Sequence, residues 1–216
     1  MKPSERRDAF ERARLYLVAP GEFPVDVLDV VVGAGVDVVQ LRMKDADAAE
    51  ILEIGEQWMG VCEERSVPFV INDRPDIALA LAADGVHLGT DDIPPIVARE
   101  ILGPQVVIGR STHSVADIDR AQREHGDGLA DYIAVGPIWE TPTGPGKPGT
   151  GLELVTHAAR AVDFPWFGIG AIDPSNVGRV VDAGASRIVV VRAITLADDP
   201  VAAVEALRSA LPRVTP

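Results

Sequence analysis

Val36-Asp37-Val38-Val39-Gln40-Leu41-Arg42-Met43-Lys44 is the stretch whose reading decides the fold. Its first half is a β-branched apolar run that reads as a buried strand. Its second half sets Gln40, Arg42 and Lys44 at every second position. Strand side chains alternate between faces, so these three groups project along one edge. Two cations and an amide on one face of a buried strand are costly in a packed core. They make sense where that face opens onto a bound anion.

Outward from this stretch the pattern repeats. Short apolar runs rich in Val and Ile occupy 15–19, 36–41, 68–71, 85–88, 106–109, 132–135, 166–169 and 187–191, as suits parallel strands buried on both faces. Amphipathic, helix-length stretches lie at 46–65, 76–83, 93–102, 114–125, 152–162, 174–183 and 199–211. Eight strands alternating with helices is the count that closes a (β/α)8 TIM barrel, whereas a doubly wound sheet of this length uses fewer strands. No composition break or low-complexity tract divides the chain. We therefore expect a single domain over 1–216, with 1–13 as an N-terminal extension or short helix.

A formal net charge of −13 disfavours nucleic acid and anionic membranes as partners. An acidic chain that gathers Arg and Lys at strand ends has placed them for an anionic small molecule. The one cysteine, Cys62, reads as a small helix residue in a reducing compartment. The charged residues 1–14 lack a signal-peptide core and no apolar run spans a bilayer, so a cytoplasmic protein is expected. The sequence is compatible with a homo-oligomer.

In such barrels ligands bind at the C-terminal ends of the strands. Those ends offer Gln40, Arg42 and Lys44; Asn72, Asp73 and Arg74; Gly89, Thr90, Asp91 and Asp92; Arg110, Ser111, Thr112 and His113; Gly136 through Thr141, Thr143 and Lys147; Gly168 to Ala171; and Val191 and Arg192. Asp73 and Asp92 come from adjacent strands, and two carboxylates among cations suit Mg²⁺ shared with a substrate phosphate. Each aspartate alone reads equally as a helix cap or a partner of Arg74. Gly170-Ala171 and Val191-Arg192 fall where many barrels bind phosphate. Gly144 to Gly149 spells G-x-G-x-x-G, but two prolines interrupt it and no helix opens there, so it reads as a lid carrying Lys147. His113 reads equally as an acid/base and as a capping or solvated side chain. His87, inside a strand, reads as structural. His125 and His157 read as helix-surface residues, and Trp58, Trp139 and Trp166 as packing residues.

The chain resembles the thiamine phosphate synthase family nearly end to end. The resemblance is carried by Gln40-Leu41-Arg42-Met43-Lys44, Ile71-Asn72-Asp73-Arg74, Asp84-Gly85-Val86-His87-Leu88-Gly89, Gly109-Arg110-Ser111-Thr112-His113-Ser114, Asp131-Tyr132 through Gly136-Pro137-Ile138, and Val190-Val191-Arg192-Ala193-Ile194. It implies a TIM barrel that joins a pyrimidine pyrophosphate to a thiazole phosphate and releases pyrophosphate. By that resemblance the Gln40 to Lys44 run, Leu41 and Met43 included, holds the pyrimidine pyrophosphate with Asn72 and Ser111. Asp73 and Asp92 carry Mg²⁺, and Thr141, Thr143, Gly170, Val191 and Arg192 surround the thiazole phosphate. Arg42, Lys44, Ser111, His113 and Lys147 are the expected catalytic set.

The chain departs from the family pattern at three places. Gly144 stands where a lysine follows Thr-x-Thr, Thr90 where glutamine is common, and Ala171 where a second glycine is usual. Lys147 is the candidate replacement for the missing lysine, a contact worth about 1–3 kcal/mol. Two other readings remain at this point. One is a thiazole tautomerase using His113 as acid/base, for which the full pyrophosphate set has no use. The other is a non-catalytic binder of thiamine precursors.

Overall fold

The computed structural model describes residues 3–141 and 148–214. Eight parallel strands, β1 (Leu15–Ala19), β2 (Val38–Leu41), β3 (Phe69–Asn72), β4 (Gly85–Leu88), β5 (Val107–Thr112), β6 (Tyr132–Val135), β7 (Trp166–Ile169) and β8 (Ile188–Val190), pair in sequence order. β8 returns to β1 and closes the barrel. The expected single TIM barrel is the architecture found.

Period-two alternation sorts the side chains into two cores. Tyr16, Val18, Val38, Val70, Val107, Tyr132, Phe167 and Val189 point inward and pack together. Residues at the alternate strand positions, such as Leu15, Leu17, Val39, Leu41, Ile71, Val86, Ile108 and Ile133, face the surrounding helices. Those helices are α2 (Val25–Ala34), α3 (Ala48–Arg65), α4 (Pro75–Ala80), α5 (Pro95–Leu102), α6 (Val115–Gly126), α7 (Gly151–Ala161), α8 (Val177–Asp182), α9 (Arg192–Thr195) and α10 (Pro200–Ala210), with α1 (Pro3–Arg12) ahead of β1. Asp47, Ser114 and Asp199 cap α3, α6 and α10 by accepting from the backbone N–H three residues on. The seven sequence-read helical stretches match α3 to α8 and α10. α2 escaped that reading because its Val-rich run lacks a clear polar face, and α9 because it is a single turn.

α1 closes the N-terminal mouth. Phe10 stacks on Tyr132 at 4.9 Å between centroids and meets Tyr16 edge-on at 6.4 Å. Burying one such ring is worth about 1.5–3 kcal/mol. Arg6 and Arg7 donate to Asp84 and Asp131 at 2.8 and 2.9 Å, fixing the helix to this face. Three aspartates just before even-numbered strands do a second job here. Asp37 accepts from the N–H of Leu15, Asp84 from Phe69 and Asp131 from Ile108, at 3.0, 3.1 and 2.8 Å. Each satisfies a backbone donor near the start of the preceding strand, which would otherwise be orphaned. Among the described residues no helix is long and apolar enough to cross a membrane.

Two glycines give opposite expectations. A Cβ on Gly109 would lie 2.1 Å from Tyr132 Cζ, inside the barrel, whereas Gly60 on exposed α3 has nothing within 4 Å. Gly109→Ala is expected to destabilise by about 2–3 kcal/mol or more through overpacking. Gly60→Ala is expected to stabilise by about 0.5–1 kcal/mol through helix propensity. Urea denaturation of both variants checks the pair.

Candidate active site

The C-terminal mouth of the barrel holds a cavity of about 780 Å³, within the usual size range for small-molecule sites. Gln40, Arg42 and Lys44 all line it, as the alternation along β2 requires. Asn72 and Asp73 line it from β3, Ser111 and His113 from β5, and Thr141 from the segment after β6. Gly170, Ala171, Val191 and Arg192 line it from β7 and β8. Eleven of the residues expected to hold substrate or metal or to act in catalysis therefore share one cavity, as do Gly89, Asp91 and Ala171, whereas Asp92 is not among its lining residues.

Leu41 and Met43 correct the expectation attached to their run. They occupy the alternate positions, so Leu41 is buried in the outer core and Met43 packs against it. Neither side chain lines the cavity. Arg110 is likewise no rim cation. It turns outward, donates to the Gly89 carbonyl at 2.8 Å and pairs with Glu124 at 3.2 Å. Arg74 pairs with Asp76 at the surface. Thr143, Gly144 and Lys147 lie outside the described residues.

The acidic side of the cavity is built from neighbouring turns. Lys44 Nζ stands 3.2 Å from Asp73 Oδ2, and Asp73 also meets the Asp92 carboxyl. Burial first, and then the Asp92 carboxyl, push the Asp73 carboxyl up to about 6, which Lys44 partly offsets. Asp92 is anchored through Oδ2, which accepts from the Gly89 N–H at 2.6 Å. Asp73 sits at φ 62, in the left-handed region. Two carboxylates brought together from neighbouring turns, one of them on a left-handed backbone, are a fitting pair of oxygen donors for a divalent cation. Among the described residues no group of three or more His, Cys, Asp or Glu side chains could hold a metal. Such an ion would complete its shell with water and ligand oxygens, as Mg²⁺ does.

The floor of the cavity is polar, and His87, expected from the sequence to be structural, lines it. His87 Nδ1 meets the Tyr132 hydroxyl and Nε2 meets Ser111 Oγ, both at 3.0 Å. Burial, with Arg110 nearby, pushes the His87 ring down to about 4, so it is neutral near pH 7. Tyr16 lines the cavity floor and was missed. Its signal was available: a tyrosine inside an otherwise aliphatic strand needs a polar partner for its hydroxyl. His113 Nδ1 makes a short contact to the Gly136 carbonyl, which fixes the ring at the cavity wall. Cys62 is buried, and burial raises its thiol, which agrees with an inert helix residue. Trp58 and Trp166 are buried, and Arg179 lies 5.4 Å over the Trp139 ring. His125 stacks on Phe164 at 4.0 Å and so packs more closely than a surface residue.

Comparison with known proteins adds an independent finding. A family model for thiamine monophosphate synthase matches residues 15–194. A thiamine-phosphate synthase from Acidothermus cellulolyticus is 48% identical over 87% of this chain and 90% of its own length. One from a Nostoc species is 43% identical over 98% of this chain, which spans 60% of that relative's length. A solved thiamine phosphate pyrophosphorylase from Pyrococcus furiosus superposes with a TM-score of 0.83 at 32% identity, covering 93% of this chain and 96% of that one. A 3-hexulose-6-phosphate synthase, at TM-score 0.65 and 18% identity, shares the fold alone.

Ala171 carries the φ of a glycine, 51°, at the cavity rim next to Gly170. Ala171→Gly is expected to relieve a left-handed residue and raise stability by about 0.5–1 kcal/mol, net of the added unfolded-state entropy. Thermal denaturation of the two forms measures it. Gly170→Ala is expected to destabilise, because its Cβ would lie 2.4 Å from the Ile138 nitrogen at a φ of 120°.

Proposed function

Because the chain belongs to the thiamine monophosphate synthase family, we propose that it is a thiamine-phosphate synthase, a transferase coupling 4-amino-2-methyl-5-hydroxymethylpyrimidine pyrophosphate to thiazole phosphate. The observation that carries this reading is one cavity with Gln40, Arg42, Lys44, Asn72, Asp73 and Ser111 on one side and Gly170, Val191 and Arg192 on the other. Its two polar walls suit two phosphorylated partners held side by side.

The reaction breaks the bond between the pyrimidine methylene carbon and the pyrophosphate oxygen. The electron pair leaves with pyrophosphate, and the aminopyrimidine delocalises the positive charge left on the methylene. The thiazole nitrogen then forms the new C–N bond. Such a dissociative step calls for neutralised leaving charge more than for a nucleophilic side chain. Arg42 and Lys44 are assigned to the pyrophosphate oxygens, with Asn72 and Ser111 as hydrogen-bond donors. Gln40 orients the pyrimidine. Thr141, Gly170, Val191 and Arg192 are assigned to the thiazole phosphate, and Lys147 to the pyrophosphate contact of the lysine that Gly144 replaces. Asp73 and Asp92 would hold Mg²⁺, which when bound neutralises pyrophosphate charge. Lys44 keeps its place beside Asp73 through this ion pair, ready to turn to a phosphate oxygen. Neither the tautomerase nor the binding-protein reading gains support from the relatives compared.

The purified chain, given both phosphorylated precursors and Mg²⁺, is expected to form thiamine phosphate and release one equivalent of pyrophosphate. Chelation of divalent cations is expected to stop turnover, and restored Mg²⁺ to recover it. Asp73→Asn is expected to raise the Mg²⁺ concentration needed for half-maximal rate by about tenfold or more, from loss of a charged ligand. Lys147→Ala is expected to lower the rate at least about tenfold, the scale of one charge-assisted contact. Turnover of the thiazole tautomer alone, unaffected by Mg²⁺, would instead establish the tautomerase reading.

A further inference from the structure

A hydrogen-bonded chain crosses the barrel at the floor of the cavity. Gln40 Nε2 donates to the Tyr16 hydroxyl at 2.6 Å, and Tyr16 meets the Tyr132 hydroxyl at 2.9 Å. Tyr132 then meets His87 Nδ1, and His87 Nε2 meets Ser111 Oγ, both at 3.0 Å. The two ends of this hydrogen-bonded chain, on β2 and β5, line the cavity, and so do Tyr16 and His87. Tyr16, Tyr132 and His87 between them are buried.

A phenol has one proton to give and a neutral imidazole carries one N–H. If no buried proton is orphaned, only two orders satisfy all four contacts: every donation runs from Gln40 to Ser111, or every one runs back. The Gln40 amide turns its nitrogen to Tyr16, and an amide nitrogen only donates. Tyr16 therefore donates to Tyr132, Tyr132 to His87 Nδ1, and the Nε2–H of His87 to Ser111. The Ser111 oxygen is thereby supplied with a donor, and its own proton is directed to the cavity.

We propose that Tyr16, Tyr132 and His87 are positioning residues that hold His87 as the Nε2–H tautomer and present Ser111 as a hydrogen-bond donor to the anionic group bound above it. The reverse order would turn Ser111 inward and aim its lone pairs at an anion. In a buried site that difference is felt strongly, because fixed donors there need no reorganisation. Gly109 shows how closely the strand accommodates the phenol, since a Cβ there would lie 2.4 Å from the Tyr132 hydroxyl oxygen. The identity of the anion as pyrophosphate rests on the proposed function; the proton order does not.

The test has two arms. Long-range ¹H–¹⁵N NMR of the labelled, ligand-free full chain at neutral pH reads the tautomer, with His87 assigned by its loss in His87→Gln. The Nε2–H form is expected in the wild type, and an admixture of the Nδ1–H form in Tyr132→Phe. In the second arm, Ser111→Ala and Tyr132→Phe are each expected to lower kcat about tenfold, and the double variant to be no more than about twofold slower than Ser111→Ala. A merely structural role for Tyr132 would multiply the two losses. If Tyr132→Phe does not fold, Tyr16→Phe breaks the same chain one link earlier and replaces it. An Nδ1–H ring in the wild type, or multiplicative losses, overturns the proposal. A wild-type protein that makes no thiamine phosphate defeats the proposed function instead, and the NMR arm still decides the proton order.

Discussion

Two phenol hydroxyls meeting at 2.9 Å inside a closed sheet set the terms for everything above them. Tyr16 and Tyr132 lie where eight strands surround them and are almost fully buried, so both hydroxyls take their partners from neighbouring side chains. A buried hydroxyl left unpaired costs about 1–3 kcal/mol, so the positions touching this pair are constrained to carry polar groups. Gln40 and His87 meet that demand, and Gly109 opposite supplies the room the ring needs. Below the hydroxyls the same rings pack on Phe10 and Phe167 as an ordinary aromatic core. One layer of side chains thus changes the barrel interior from apolar to polar, and the ligand cavity begins where that change is complete.

Adjacent residues on one strand serve opposite ends of this arrangement. Ser111 points inward to the cavity, while Arg110 points outward to Glu124 and the Gly89 carbonyl. Gly89 in turn gives its N–H to Asp92, which meets Asp73, which pairs with Lys44. A chain of contacts therefore runs from the outside of β5 to the acidic wall of the cavity. Arg110 contributes to the site by fixing a backbone carbonyl, and its positive charge is already matched by Glu124. Counting cations at strand ends cannot separate that role from direct anion binding, because the separation depends on which face each residue occupies.

That distinction marks how far the sequence could be read. All eight strands and the barrel were legible because strand spacing, Val/Ile content and the intervening amphipathic periods agreed with one another. Gln40, Arg42 and Lys44 were legible because period two held beyond the end of the strand. The same rule, applied strictly, places the side chains of Leu41 and Met43 on the other face. Tyr16, Tyr132 and His87 were harder to read. Each looks like a lone polar residue in an apolar run, and only closure of the sheet shows that they are one another's partners. α2 was obscured for a different reason: helix packing overrides the strand preference of a Val-rich segment.

The two ends of the barrel also divide stability from chemistry. At the N-terminal end Asp37, Asp84 and Asp131 satisfy strand N–H groups and hold arginines, so three acidic residues serve the scaffold. At the C-terminal end acidic residues are handled differently. Asp73 adopts a left-handed backbone, is forced against another carboxylate, and is partly offset by the half-exposed Lys44. Such a cluster is unfavourable in isolation and persists because the surrounding strands fix it. A ligand bringing a cation and phosphate oxygens would relieve the repulsion, so binding gains from strain that folding has already accommodated.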